Sequence, residues 1–257
     1  MERIQKILAH HGIASRRQVD AMLQQGRISV DGKTAKPGDQ ISGREKIALD
    51  GKLIRLPRFD SSPKLLIYHK PIGEVCTRAD PQGRASVFRN LPGLSQGRWV
   101  SIGRLDINTS GLILFTNQGE LANRLMHPSY EIEREYAVRV HGAVSTEMLQ
   151  QLRQGVELDD GMAHFEDIID SGGEGTNHWY HVILKEGKNR EVRRLWEAVG
   201  VEVSRLVRVR YDGFNLPKWL KPGKHRFLDD AVVQRLYQKL GLDYKTPVKS
   251  RDKRSKK

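Results

Sequence analysis

One carboxylate in this chain is placed to do chemistry. In VSIGRLDINTSGLILFTNQGE, residues 100–120, Asp106 stands in a short polar turn ahead of the apolar run Leu112-Ile113-Leu114-Phe115. Oxygen-bearing side chains alternate at Asp106, Asn108 and Ser110 before Gly111, which resembles the opening of a calcium loop. Such a loop closes with a bidentate acid six residues after its glycine. That position holds Asn117, an amide, and the residues between are buried-strand types, so the metal reading fails. Two readings remain: a polar turn that merely joins two strands, or a rigid loop that presents a lone acid.

Other chemistries are narrowed by the motifs that are missing. The sequence has no phosphate-binding Walker loop, no G-x-G-x-x-G and no G-x-S-x-G. Gly172 to Gly175 is glycine-rich but leads into no helix and reads as a hairpin turn. The single cysteine, Cys76, excludes an internal disulfide framework and has no histidine in a nucleophile arrangement. The nine histidines lack paired Cys/His spacing of the zinc type. No apolar run approaches the ~20 residues that span a bilayer. The first residues lack a signal-peptide core, so a soluble cytosolic protein is expected.

Charge is unevenly divided. Residues 1–60 hold 12 Lys/Arg against 7 Asp/Glu, residues 244–257 hold 7 against 1, and the long middle holds 25 against 23. Basic ends on a near-neutral body suggest attachment to a polyanion. Nucleic acid fits better than membrane, because no Trp/Phe-rich amphipathic helix accompanies the charge.

The elements that must position Asp106 follow from periodicity. Ile4, Ile7 and Leu8 share a helical face that stops at Gly12, and Ser15 is set to cap a second helix carrying Val19, Met22 and Leu23. Asp31-Gly32 and Asp50-Gly51 each predict a tight hairpin. This makes residues 1–60 a small αβ module, with Arg16, Arg17, Arg27, Lys33 and Lys36 near its junctions. Residues 56–64 read as a linker. Strands are predicted in KLLIYHKP, REYAVRVHG, HWYHVILKEG and VSRLVRVRYDGFNL, and helices in GELANRLMHPS, STEMLQQLRQGVEL and NREVRRLWEAVG. Residues 61–243 are thus an α+β body with a mixed, largely antiparallel sheet, not a βαβ repeat. Residues 244–257 are expected to be a disordered basic tail.

Three of these stretches resemble one family. GRLDINTSGLILFTNQGELANRLMHP is similar to the catalytic motif of the RsuA/RluB-type pseudouridine synthases. EREYAVRV and EGKNREVRRLWEAVGVEVSRLVRVRY resemble its second and third motifs, in order, and the first sixty residues look like its S4 RNA-binding module. The third motif is most similar to the RluB branch, which acts on 23S ribosomal RNA. Other branches more often have a His-Gln pair where this chain has Arg190-Glu191.

The resemblance implies a cofactor-free, metal-free isomerisation of uridine to pseudouridine in a 23S rRNA stem-loop, by a cytoplasmic monomer with no membrane attachment. It implies that Asp106 is the catalytic carboxylate, that Arg193 pairs with it, and that Tyr136 stacks on the flipped base. Leu195, on one helical face with Val192, Trp196 and Val199, would be either pocket wall or ordinary core. Arg16, Arg17, Arg27, Lys33, Arg104, Lys188, Arg190 and Arg194 would contact RNA. Whether the aspartate attacks C1′ or acts first as a base on the ribose stays open.

Overall fold

The computed structural model describes residues 1–56 and 62–244. Part of the expected linker and nearly all of the expected tail lie outside these residues. The first module runs β1 (Glu2–Arg3), α1 (Ile4–His10), α2 (Arg16–Gln24), β2 (Ile28–Val30), β3 (Lys33–Thr34), β4 (Gln40–Ile41), β5 (Ile47–Leu49) and β6 (Lys52–Ile54). Helix α2 begins at Ser15 because its hydroxyl accepts from Gln18 N at 3.2 Å while Gln18 Oε1 accepts from Ser15 N at 2.9 Å. Both hairpins form as the Asp-Gly pairs require. Asp31 and Gly32 have φ of 48° and 80°, and Asp50 and Gly51 of 51° and 77°, so both central residues of each turn are left-handed. Ile4, Leu8, Val19, Leu23, Ile28 and Ile47 close the small core between helices and sheet.

The body continues with β7 (Leu65–Lys70), β8 (Val100–Ile102), β9 (Ser110–Thr116), α3 (Gly119–Met126), β10 (Arg134–His141), α4 (Thr146–Gln154), β11 (Val156–Leu158) and β12 (Gly161–Ala163). It then runs through β13 (Asp167–Glu174), β14 (Asn177–Leu184), α5 (Glu191–Ala198), β15 (Glu202–Tyr211), β16 (Phe214–Asn215), β17 (His225–Phe227) and α6 (Asp230–Lys239). The main sheet is ordered β13-β14-β10-β15-β9-β7-β17, with β8 paired to β9 and β16 to β15. All of its pairings are antiparallel except β15–β9, which bears out a mixed α+β body.

That parallel pairing is a narrow seam. It registers only Val207 with Ser110 and Arg208 with Gly111. On one side of it, α4 and α5 cover β10, β14 and β15 through Leu152, Val192, Leu195 and Trp196. On the other, α3 and α6 cover β7 and β9 through Leu121, Leu125, Val233 and Leu236. Strand β9 is buried along its whole length, because its opposite face packs Ile113 and Phe115 against Leu66, Tyr68, Val87 and Trp99.

Candidate active site

Asp106 is half-buried in the connection between β8 and β9, whose turn closes when Thr109 N donates to Asp106 O at 3.1 Å. The turn is fastened from the side by residues that follow β7. Gly73 N donates to Ile107 O at 2.9 Å, and the Cys76 thiol donates to Leu105 O at 3.3 Å. Burial pushes that thiol's pKa up, so Cys76 is a tether and not a thiolate nucleophile.

Lys70 holds the turn from beneath. It is fully buried, and its Nζ donates to Thr109 O at 2.8 Å, Pro71 O at 2.9 Å and, more weakly, Ile107 O at 3.5 Å. Burial lowers the pKa of this amine, opposed by the negative potential of Glu74 and Asp106. Glu74 is itself committed, accepting from Tyr68 Oη at 2.7 Å and Asn90 Nδ2 at 2.7 Å. Asp106 is therefore the acid of this cluster left for a substrate.

A single row of residues crosses the sheet under the turn. Lys70 lies opposite Gly111, Gly111 opposite Arg208, and Arg208 opposite Tyr136. Arg208 is 2 % exposed, donates from Nε to Leu112 O at 2.7 Å, and stacks over the Tyr211 ring at 5.0 Å. Gly111 has φ +114° and passes so close that a Cβ there would lie 2.3 Å from Arg208 O. Tyr136 is half-buried and touches the cores on both sides of the seam.

Arg193 reaches the turn but binds its backbone. Its Nη2 donates to Asn108 O at 3.1 Å and its Nη1 to Val203 O at 2.8 Å, so the expected ion pair with Asp106 is replaced by a clamp on the carbonyl two residues on. Burial and the neighbouring Arg190 lower the Arg193 pKa, while Asp106 raises it, which puts the carboxylate within electrostatic range. Leu195 is 0 % exposed in the core beneath α5, so it is core and not an exposed pocket wall.

The expected RNA contacts divide into two groups. Arg16, Arg17, Lys33, Arg104 and Arg190 are exposed, the last with Glu197 3.8 Å from its guanidinium. Three others are engaged within the protein. Arg27 forms a bidentate pair with Asp50 at 2.8 and 2.6 Å, Arg194 another with Asp160 at 2.7 and 2.9 Å, and Lys188 Nζ donates to Met162 O at 2.6 Å. Each would have to exchange an existing partner for phosphate. Lys70 and Arg208 were missed. The Lys-Pro step at the end of an apolar strand was the only sign of the first, and nothing in the alternation of β15 marked the second.

A groove of about 1390 Å³ runs between the first module and the body, lined by Arg16, Arg17, Arg44 and Arg98 among others. The two parts touch at its wall, where a Cβ on Gly12 would lie 2.9 Å from Gly97 O. This concavity does not contain Asp106. It is a separate concavity, in which Glu2, Glu120 and Asp243 accompany the arginines.

A lone acid on a turn clamped from three sides, over a sheet row that includes a half-buried tyrosine, agrees with what known sequences show. Residues 64–198 match the sequence profile of the RNA pseudouridylate synthase family, and residues 2–57 match the S4 domain. The chain belongs to the RNA pseudouridylate synthase family. Among its relatives in that family is the ribosomal large subunit pseudouridine synthase B of Yersinia pestis, 55% identical over 248 residues that cover 95% of this chain and 78% of the other. The protein of the same name from Pseudomonas aeruginosa is 52% identical over 243 residues, covering 94% and 63%. That from Escherichia coli K12 is 53% identical over 251 residues, covering 96% and 86%. A crystal structure of a pseudouridylate synthase superposes with a TM-score of 0.63 at 24% identity, covering 92% of this chain and all of the other, and so shares the fold. Among the described residues, no helix is long and apolar enough to cross a membrane.

Proposed function

We propose that this pseudouridine synthase isomerises one uridine in large-subunit 23S ribosomal RNA, using Asp106 as its catalytic carboxylate. The observation that carries the reading is the Asp106 turn, immobilised by Lys70, Gly73, Cys76 and Arg193 while its own carboxylate accepts none of their hydrogen bonds. Preorganised geometry of this kind is what a single acid needs in order to act without a partner. The names of the relatives, at more than half identity, support the RNA and the subunit.

The reaction breaks N1–C1′ of the nucleoside, turns the base and forms C5–C1′, and the proton on C5 ends on N1, so atoms and electrons balance without a cofactor. Asp106 can begin it by attacking C1′ or by taking a proton from the ribose. Either role requires the ionised carboxylate, and the guanidinium of Arg193 and the amine of Lys70 both lie within electrostatic range of it. Hydrolytic glycosidases employ a second carboxylate to manage water or the leaving group. An isomerase must instead exclude water, and the half-buried position of Asp106 suits that. Tyr136, which lies opposite Arg208 on the row beneath the turn, is read as the residue that stacks on an extruded base.

Further parts of the reading rest on sequence and fold together. The substrate is taken to be a stem-loop, the protein a cytoplasmic monomer, and the chain divided into an RNA-binding module at 1–60, a catalytic body at 61–243 and a basic tail at 244–257. The matched ranges 2–57 and 64–198 support the first two parts of that division. The deciding experiment treats 23S rRNA fragments with the protein and maps carbodiimide-resistant adducts on uridine. Asp106→Asn, nearly isosteric, should bind the same fragments and yield no adduct. Turnover by that variant, once deamidation is excluded, would overturn the assignment.

A further inference from the structure

From Gly213 to Leu228 the chain carries Lys218, Lys221, Lys224 and Arg226 and no carboxylate. All four are exposed, and among the described residues none has an ion-pair partner. Some other exposed cations of the body do have such partners, as in Arg84–Asp80, Arg190–Glu197 and Lys239–Asp212. The near-neutral count over residues 61–243 therefore conceals a local cationic surface.

That surface holds the most exposed aromatic side chain of the body. Trp219 is 63% exposed, with the Arg226 guanidinium 5.7 Å from its ring centre. A single exposed apolar side chain is unremarkable on its own; here its mounting is built. Two turns lie back to back, closed by Leu220 N on Pro217 O at 2.9 Å and Lys224 N on Lys221 O at 3.1 Å. Leu220 is 4% exposed and sits in the core with Tyr211 and Leu236. His69 of β7 joins both turns: its Nδ1 meets Leu220 O at 2.6 Å, its carbonyl accepts from Gly223 N at 2.8 Å and its N–H donates to Lys224 O at 3.0 Å. The next residue is Lys70, which holds the Asp106 turn, so the tryptophan is mounted at the reactive end of the sheet.

We infer that Trp219 and the lysines around it form a second RNA-binding platform, on which an unpaired nucleotide flanking the target stem stacks while Lys218, Lys221 and Lys224 neutralise its phosphates. This rests on the RNA-modifying reading above. A free aromatic face beside unpaired cations is the combination that binds single strands without reading sequence. A paired duplex has no open base to offer the ring and would meet only the lysines. The platform is fixed before RNA arrives, so little ordering is needed on binding.

The full chain is titrated against a labelled single-stranded oligouridylate of about twelve nucleotides and, separately, a blunt RNA duplex. Trp219→Ala should weaken single-strand binding about tenfold and duplex binding less than about twofold, and Trp219→Phe should restore most of the loss. Lys218→Gln, Lys221→Gln and Lys224→Gln together should weaken both and make the log–log salt slope shallower by about two, at ~0.7 per phosphate on a single strand. Unchanged single-strand affinity in Trp219→Ala would assign the patch to a protein contact and overturn the proposal, as would equal losses on both RNAs. If the wild-type protein forms no pseudouridine in 23S RNA while these binding effects stand, the isomerase reading fails by itself.

Discussion

Replacing Gly111 with alanine should be strongly destabilising, because strained backbone and a backbone clash coincide there. Its φ of +114° is a region that side-chain-bearing residues avoid, which costs about 1–3 kcal/mol. The new Cβ would stand 2.3 Å from Arg208 O and 2.5 Å from Arg208 N, where real contacts begin beyond 3 Å. Neither neighbour is a flexible side-chain tip that could swing away. Strand β15 must retreat by most of an ångström, and its two registered pairs with β9 are all that fasten the halves of the sheet edge to edge. Losing about two backbone hydrogen bonds adds ~2 kcal/mol, for a total of about 3–5 kcal/mol out of a domain stability of ~5–15. The assay is urea unfolding followed by near-ultraviolet circular dichroism, which reports the buried Trp99 and Trp196 of the body. Gly93→Ala is the control, since a Cβ there meets nothing within 4 Å. If Gly111→Ala lies within about 1 kcal/mol of that control, the close approach at the seam does not limit stability and the reasoning is wrong.

Arg193→Met should lower single-turnover rate by about two orders of magnitude with little change in RNA affinity, because it frees the Asn108 carbonyl and removes a cation near Asp106; wild-type kinetics would show the clamp to be idle. Lys70→Met should leave the Thr109 and Pro71 carbonyls without their donor, cost about 2–4 kcal/mol in urea and depress kcat more than KM. A variant as stable and active as the parent would refute that. Acid should loosen the first module at Glu45, whose pKa is held down at about 2 by the backbone N–H of Ser42 and further hydrogen bonds from the Ser42 hydroxyl and Gly43 N. A depressed carboxylate stabilises the fold above its unfolded pKa and loses that contribution as pH falls toward 2. NMR of the 42–45 loop should therefore change between about pH 4.5 and 2 in the wild type, and Glu45→Gln should already resemble the acid form at neutral pH.

Much of this architecture could be read before any coordinates. Asp31-Gly32 and Asp50-Gly51 are local signals, satisfied by their own dihedral angles, and Ser15 and Gln18 complete a cap within three residues. Asp106 in its polar turn ahead of a buried strand left two readings open, and the resemblance of residues 103–128 to a catalytic motif decided between them. What escaped notice depends on distant partners. Arg27 looked free because Asp50 lies 23 residues away, and Arg194 because Asp160 lies 34 away. Helical periodicity correctly turned Leu195 inward, yet an inward side chain can line a cleft or fill a core, and only the packing of α5 distinguishes them. The charge count erred for a related reason. A net value over 61–243 averages the paired cations of the sheet with the unpaired ones around Trp219. Lys70 reads as a surface residue until the turn that supplies its three acceptors is folded over it.

The narrow pairing of β15 with β9 also sets how substitutions in this protein combine. The packing around Trp196 and that around Leu236 belong to separate clusters, and the strand pairing between them extends over two residues of each chain segment. Distant sites without shared partners contribute additively, and coupling appears where they share a neighbour. A change beneath α5 and another beneath α6 should therefore add with almost no interaction energy. A change in either combined with one at Gly111, Arg208 or Tyr136 should not. Lineages could then repack the two sides independently, as two almost separate histories, provided that the row on which the reactive turn rests stays fixed.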